Sequence, residues 1–391
     1  MFSEGEKQMI DFVQSVRQWK LRSLAVLIAV MAFTAGVQEV KAQPSTWSAV
    51  FTTTNDPAGN ALAVFHPTAN GGLSAPSFFP TGGKGSSTGL ESQGALALSH
   101  DRQYLYAVNA GSNSITVFHL SVNGPVSVQV IASGGYRPIS LTLFGNVLYV
   151  LNAGGAIPGE TDCIYGFMIK IDGTLTALKN SKAYLSAAST GPAQIGFSAN
   201  GHVLTVTEKS TNFITLFALD KNALPVAQSF VRSNGITPFG FAYSSQDVLV
   251  VTEAVVGATG ASSVSSYELD AFQGFLYTAS HSIKTGQSAA CWTTITDNNH
   301  FAYVTNTSSN TITGFKIESN GTLTTLGKNG VSATTGSRPF DVITFGNKML
   351  YVLNGGEGSV GEYTIGVDGS LTSISVAHGL PATHPVGLVV R

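Results

Sequence analysis

The 391-residue sequence is short of charge. Asp, Glu, Lys and Arg make up 11% of it, against about 25% in an average soluble chain. Its 20 basic residues nearly balance 22 acidic ones, for a formal net charge of −2. Without a basic field the chain has no electrostatic footprint for nucleic acid or an anionic membrane surface, so neither is expected as a partner. The same shortage excludes long solvated helices, whose outer faces need charged and polar side chains. Cysteine is nearly missing: Cys163 and Cys291 are the only two, which excludes a disulfide-dense scaffold. There is no CxxC, CxxCH or HExxH pattern and no nucleophile elbow. Gly82-Gly83-Lys84-Gly85 is not followed by a helical pattern, so it is not a phosphate-gripping loop. No metal and no cofactor is expected.

Long hydrophobic runs are lacking too. The apolar stretch Leu24 to Phe33 falls short of the roughly 20 residues that a membrane span needs. Arg17, Lys20 and Arg22 precede it, and Val40-Lys41-Ala42 after it fits a small-x-small cleavage site. Residues 1–42 therefore read as a signal peptide, with Met9 as an alternative start, and 43–391 as the mature domain, beginning near Gln43. The expected location is extracytoplasmic, periplasmic or secreted, with no stable membrane insertion after cleavage. An uncleaved anchor is the alternative.

What the chain does have is 43 glycines, abundant Ser, Thr and Asn, and one pattern written seven times. Each copy is an apolar or small residue, two more residues, an aromatic, one residue, then an apolar residue or Pro. The copies include Leu62 to Pro67, Ile115 to Leu120, Ile214 to Leu219 and Val360 to Ile365. The aromatic anchors are Phe65, Phe118, Phe167, Phe217, Tyr267, Phe315 and Tyr363, spaced 53, 49, 50, 50, 48 and 48 residues apart. A fixed period of this length marks a repeat fold. Each unit divides into four strand-like stretches rich in β-branched and aromatic residues. The first opens near a Pro or small residue, the second is the most apolar and the third carries the anchor. A hairpin leads to the fourth, with Asn123-Gly124, Asp172-Gly173, Asn320-Gly321 or Asp368-Gly369 at its tip, which predicts type I′ turns.

Seven four-stranded units predict an all-β, seven-bladed β-propeller with four antiparallel strands per blade. The chain ends with a lone first strand, Pro385 to Val390, and the mature chain begins with a lone second strand, Trp47 to Phe51. Joining them completes blade 1 and closes the ring; a six-bladed ring with frayed ends is the alternative. Cys163 and Cys291 then fall in blades 3 and 6, nearly opposite, and no bridge is predicted between them.

In such a blade the start of the first strand and the end of the second share one face, at the mouth of the central channel. Second strands end in Asn109, Asn152, Asn306 and Asn354, but in blades 4 and 5 they end in Glu208 and Glu253. The two glutamates depart from the internal template in neighbouring blades. They are the candidate acid, base or cation-binding groups, the alternative being rim charges or partners of Lys209 or Arg137. Arg137 and Arg338 precede the Pro that opens a first strand and suit carboxylate or phosphate recognition. His384 holds the same place in blade 1 and could act near neutral pH. Gln194 shares this mouth, and Trp292 faces the channel to stack on a ligand or packs between blades.

Leu148-Tyr149-Val150-Leu151-Asn152, Tyr303-Val304-Thr305-Asn306 and the Asp-Gly-Thr-Leu-Thr and Asn-Gly-Thr-Leu-Thr stretches from Asp172 and Asn320 give the chain its resemblance to a known family. It resembles the lactonase family of seven-bladed propellers, which includes 6-phosphogluconolactonase-like proteins and the 3-carboxymuconate lactonizing enzyme. That family's enzymes typically carry Gly-Pro-Arg-His at a blade opening and Asn-Glu-Leu at the end of its second strand. Here the segments are Gly191-Pro192-Ala193-Gln194 and Thr207-Glu208-Lys209, so only Glu208 carries over. The resemblance implies an enzyme that hydrolyses or isomerises a sugar lactone or cyclic carboxylic acid. Glu208, with Glu253, would then be the base, and Arg137, Gln194, Trp292, Arg338 and His384 would hold the substrate. The alternative is a non-catalytic extracytoplasmic propeller that binds a small molecule, glycan, peptide or partner protein at the same rim.

Overall fold

The computed structural model describes residues 48–391 except 70, 87, 256, 272, 273 and 383. The expected signal peptide and its cleavage site lie outside the described residues. Within them are seven antiparallel sheets, each a blade. The first strands are Val386–Val390, Leu96–Leu98, Pro138–Phe144, Pro192–Phe197, Pro238–Tyr243, Ala290–Ile295 and Pro339–Phe345, in blades 1 to 7. They pack against one another around the centre. The third strands are Ala61–Phe65, Ser114–Ser121, Cys163–Ile169, Phe213–Leu219, Ser263–Asp270, Thr311–Ile317 and Ser359–Ile365. Every aromatic anchor lies in one of them, and none is more than 2% exposed.

Ring closure runs through both ends of the domain. Val50–Thr53, the second strand of blade 1, pairs with Val386–Val390 in the register Val50 to Val390 and Phe51 to Val389. The Arg391 N–H donates to the Ala49 carbonyl at 2.9 Å, extending the pairing by one step. The innermost strand of blade 1 thus comes from the last residues of the chain, so neither end can fray without opening the ring. Cys163 and Cys291 are buried free thiols in blades 3 and 6, and burial pushes the Cys291 thiol up to about 12.

The second strands supply the stitches between blades. In Phe301–Asn306, Tyr303 donates its hydroxyl to the Gly369 carbonyl in the next blade's hairpin at 2.9 Å. Val304 sits in the core, and Thr305 Oγ1 donates to the Phe340 carbonyl of the next first strand at 2.8 Å. Asn306 Nδ2 turns back to the hydroxyls of Thr311 and Thr313 in its own third strand. Tyr106 and Tyr149 reach the next hairpins in the same way, at Gly173 and Ala223. Four consecutive side chains thus serve, in turn, a hairpin, the core, the next blade and the blade's own rim.

The hairpin tips correct one sequence expectation. A type I′ turn needs positive φ at both central residues. Gly173, Gly321 and Gly369 have φ of 74°, 75° and 81°, while their preceding Asp172, Asn320 and Asp368 do not adopt positive φ. Each side chain instead accepts the N–H two residues on, Thr174, Thr322 and Ser370, at 3.0 to 3.2 Å. That bond holds the Asx residue in the ordinary region and leaves the left-handed step to glycine alone.

Removing Val386–Arg391 takes away the innermost strand of blade 1. The truncated protein is expected to lose its cooperative melting transition in circular dichroism, whereas removal of residues 1–42 leaves that transition in place.

Candidate functional site

One backbone device positions the channel mouth. A residue ahead of each first strand adopts positive φ, immediately before it in blades 3 to 7, two residues before it in blade 1 and five before it in blade 2: His384 60°, Glu91 53°, Arg137 53°, Gly191 58°, Thr237 59°, Ala289 56° and Arg338 52°, from blade 1 to blade 7. Six of the seven are not glycine, so the conformation is imposed by partners. Asn113, Asn212 and Asn310, in the turns after second strands, accept the N–H of Arg137, Thr237 and Arg338 at 2.8, 2.6 and 2.8 Å. The rim carbonyls of blades 3 to 7 accept an N–H from the end of their own second strand, as from Ala153 to Arg137 at 2.9 Å.

The ring is chemically lopsided. Arg338, His384, Glu91 and Arg137 occupy the consecutive blades 7, 1, 2 and 3, while Gly191, Thr237 and Ala289 occupy blades 4 to 6. Over the small half opens a cleft of about 440 Å³ lined by Glu91, Lys209, Thr237, Trp292, Arg338 and Phe340 among others. Its floor is aromatic. Trp292 is 5.0 Å, centroid to centroid, from both Phe239 and Phe340, and its indole N–H donates to the Ser92 carbonyl at 2.8 Å. Lys209 Nζ lies 4.8 Å from the Phe239 centroid, and the Arg338 guanidinium 5.8 Å from that of Phe340. Trp292 is therefore both packed between blades and present in the cleft.

Blade 2 breaks the pattern. Its first strand is shortened to Leu96–Leu98, and residues 89–95 cross the channel. The Glu91 carbonyl accepts from Lys209 Nζ of blade 4. The Gln93 N–H donates to the Ala193 carbonyl at 3.0 Å, and its side-chain amide forms a two-way pair with the Thr293 backbone in blade 6, at 2.7 and 3.0 Å. A Cβ on Gly240 would stand 2.3 Å from Gln93 Oε1, so this crossing needs glycine there. Gln194 forms the same kind of amide pair with the Phe241 backbone, at 2.9 and 2.7 Å. Both glutamines imitate a peptide group between inner strands and close the channel beneath the cleft.

Lys209 is half-buried, and burial lowers its ammonium to about 8 against a smaller opposing pull from Glu91. It also donates to the Pro192 carbonyl at 3.2 Å. Asp341, at the inner wall of blade 7, is pushed by burial to about 7, opposed by the N–H groups of Gly387 and Gly94.

Glu208 and Glu253 are fully buried and do not line the cleft. Glu208 accepts from the Ser186 N–H at 3.2 Å and Thr215 Oγ1 at 2.6 Å on one oxygen. The other takes the hydroxyls of Ser186 and Thr211. Glu253 accepts from the Gly235 N–H at 2.7 Å, with Ser233 and Ser265, on one oxygen. Ser263 and Ser282 fill the other. The template's Asn side chains donate to hydroxyls at this position, as Asn109 does to Ser114 and Thr116; the two glutamates accept from them. A hydroxyl serves either polarity by rotation, so these shells account for both carboxyls without a ligand. Arg137 faces a smaller hollow beside the cleft, and the His384 carbonyl accepts from Asn55 Nδ2 at 3.2 Å.

The structure thus brings Trp292 and Arg338, of the residues singled out in the sequence, into one cleft, and adds Glu91 and Lys209. Glu91 escaped notice because Ser92 stands where most blades have Pro; the interval from Arg137 back to the preceding blade would have located it.

Comparison with known proteins agrees with this architecture. A family model described as "Lactonase, 7-bladed beta-propeller" matches residues 59–155 and 164–291, over half of the chain. The chain belongs to that seven-bladed lactonase family. Among solved structures, the periplasmic gluconolactonase of Pseudomonas aeruginosa is similar at TM-score 0.67 and 15% identity, over 88% of this chain and 99% of the other. A candidate 6-phosphogluconolactonase of Bacteroides fragilis matches at TM-score 0.67 and 18% identity, over 89% and 100%. A protein from Lactobacillus plantarum matches at TM-score 0.69 and 15% identity, over 88% and 99%. At these identities the likeness is one of fold. No curated protein matches the sequence.

Two outcomes follow from the buried carboxyls. Because each glutamate has one oxygen surrounded only by hydroxyls, Glu208→Gln and Glu253→Gln are expected to cost under about 1 kcal/mol, whereas the Ala variants cost about 2–3 kcal/mol by leaving a partly buried N–H and a set of hydroxyls without their acceptor; urea denaturation reads both. Asp341 holds its proton to about pH 7 when folded but to 3.8 when unfolded. The folded state therefore binds more protons between those values, and stability falls as pH rises through that window. Asp341→Asn should flatten that part of a melting-temperature profile.

Proposed function

We propose that this propeller opens a sugar lactone in the cleft over blades 4 to 6. The observation that carries the reading is a cleft lined by an exposed carboxyl residue, Glu91, and a half-buried amine, Lys209, whose Nζ is tied to the Glu91 backbone carbonyl, above the aromatic floor of Phe239, Trp292 and Phe340. A flat, hydrogen-rich sugar ring suits an aromatic surface. Hydrolysis of a lactone needs a base to take a proton from water, and a donor for the oxyanion that forms as water adds to the carbonyl carbon. The ring C–O bond then breaks, the proton taken from water passes to the departing ring oxygen, and the product is a hydroxy acid. Glu91 serves as the base and the Lys209 ammonium as the oxyanion donor. Arg338 holds exocyclic oxygens at the rim. Glu208 and Glu253 act in the scaffold in this reading, as the shells that fix the rim of blades 4 and 5. Membership of the lactonase family supports the choice of reaction class.

Export belongs to the same proposal. It rests on the basic, apolar and small-residue order of residues 1–42, and the similar Pseudomonas aeruginosa protein is periplasmic. Among the described residues no helix is long and apolar enough to cross a membrane.

One observation favours a second reading, a binding propeller without turnover. Lys209 Nζ already donates to two carbonyls, those of Glu91 and Pro192, and such a fixed donor also suits the recognition of a glycan hydroxyl.

The readings separate on a panel of aldonolactones followed by pH-stat. Turnover should fall as pH rises through about 8, where Lys209 loses the proton it donates. Glu91→Gln and Lys209→Met should each lower kcat about 100-fold, the first with unchanged thermal melting. A wild-type protein that binds sugars in the cleft but opens no lactone leaves the second reading standing.

A further inference from the structure

Beside the cleft, separated from it by Glu91 and Lys209, lies a second hollow of about 130 Å³. Its other walls include Arg137, Asp162, Ser189 and Gly191. Blade 2 makes room for it: where blades 3 to 7 tie the rim carbonyl to their own second strand, the Glu91 carbonyl is drawn to Lys209. We propose that this hollow is an oxyanion site, which takes a carboxylate or phosphate group through the Arg137 guanidinium and the Lys209 ammonium.

The guanidinium is the main ground. Arg137 donates through Nη2 to the Gly89 carbonyl at 3.3 Å, but its buried Nε has no hydrogen-bond partner. Among the described residues no carboxyl oxygen comes within 4.0 Å of it; the one ion pair found there is Lys316 with Glu318. A sheltered guanidinium with an unused edge N–H is costly unless something accepts from it. The fork of Nε and a terminal nitrogen matches two oxygens of a planar or tetrahedral oxyanion. Two carboxyl residues stand in the wall: Glu91, whose carboxyl oxygens lie beyond 4.0 Å from the nitrogens of both cations, and Asp162, which is not free to fill this place. Asp162 is buried and accepts from the Gly155 N–H at 2.8 Å and from the Thr190 N–H and hydroxyl at 2.6 and 2.9 Å. Lys209 supplies the second positive charge from the shared wall. Gly191, at φ 58°, would meet Ser210 Oγ at 2.7 Å if it carried a Cβ, so the small residue also keeps that side of the rim open.

The assignment does not depend on the reaction proposed for the cleft, since it needs only an oxyanion and no turnover. Isothermal titration at low ionic strength, with the purified protein and either inorganic phosphate or malonate, tests it directly. Binding of at least one is expected, and Arg137→Gln should weaken it about tenfold or more while Arg338→Gln leaves it unchanged. Tighter phosphate marks a phosphoryl group as the natural occupant, and tighter malonate a carboxylate. Should the Gln variant not fold, Arg137→Lys keeps the charge and loses the fork, and the same weakening is expected. No heat with either anion, or a loss caused by Arg338→Gln and not by the Arg137 variants, overturns the proposal, whatever the lactone assays show.

Discussion

Seven residues at positive φ, one ahead of each inner strand, turn the chain from the rim into the channel, and the site geometry depends on them. An L-residue in the left-handed region costs of order 1 kcal/mol, so the turn must be held from outside. Asn side chains from the preceding loops do this for Arg137, Thr237 and Arg338. The constraint fixes the backbone and leaves the side chain free to vary. A ring of equivalent positions thereby becomes a ring of unlike groups, large and polar over four blades and small over three, and the cleft opens where the small ones lie.

Blade 2 shows how one departure from symmetry builds a site. Six blades have an inner strand of five to seven residues, and blade 2 has three. The segment released from pairing crosses the channel and is held by Gln93, with its amide on Thr293 and its own N–H on Ala193. Ala193 and Gln194 follow the Pro that opens the inner strand of blade 4. The carbonyl of one receives the crossing segment, and the amide of the other ties blade 4 to blade 5. The channel wall is thus rebuilt from neutral amides, and the charged groups stand one layer higher, at Glu91, Lys209, Arg137 and Arg338.

The blade count, the buried anchors and the closure by the C-terminal strand were legible in the sequence because each rests on a period that burial enforces. The turn type was not, since Asp-Gly and Asn-Gly serve two backbone paths and the side-chain bond from Asp172 to Thr174 selects between them. The face shared by Arg137, Arg338 and the second-strand ends was legible from connectivity, as the pairing of Pro192 with Glu208 and Pro339 with Asn354 shows. The surroundings of Glu208 and Glu253 were only half legible. Thr211, Thr215, Ser263 and Ser265 are visible as close neighbours, but Ser186 comes from the loop before the first strand of blade 4 and Ser282 from the fourth strand of blade 5, Phe275–Lys284. Glu91 was hidden because its inner strand has no Pro to mark it and leaves the sheet.

The central claim is that the working face is the cleft over the small half of the ring. A crystal structure of the protein soaked with an aldonolactone or its hydroxy-acid product tests it most directly. The account predicts density stacked on Trp292 between Phe239 and Phe340, within hydrogen-bond reach of Lys209. Ordered ligand only in the hollow on the other side of the blades, among His300, Phe301 and Lys316, would contradict it.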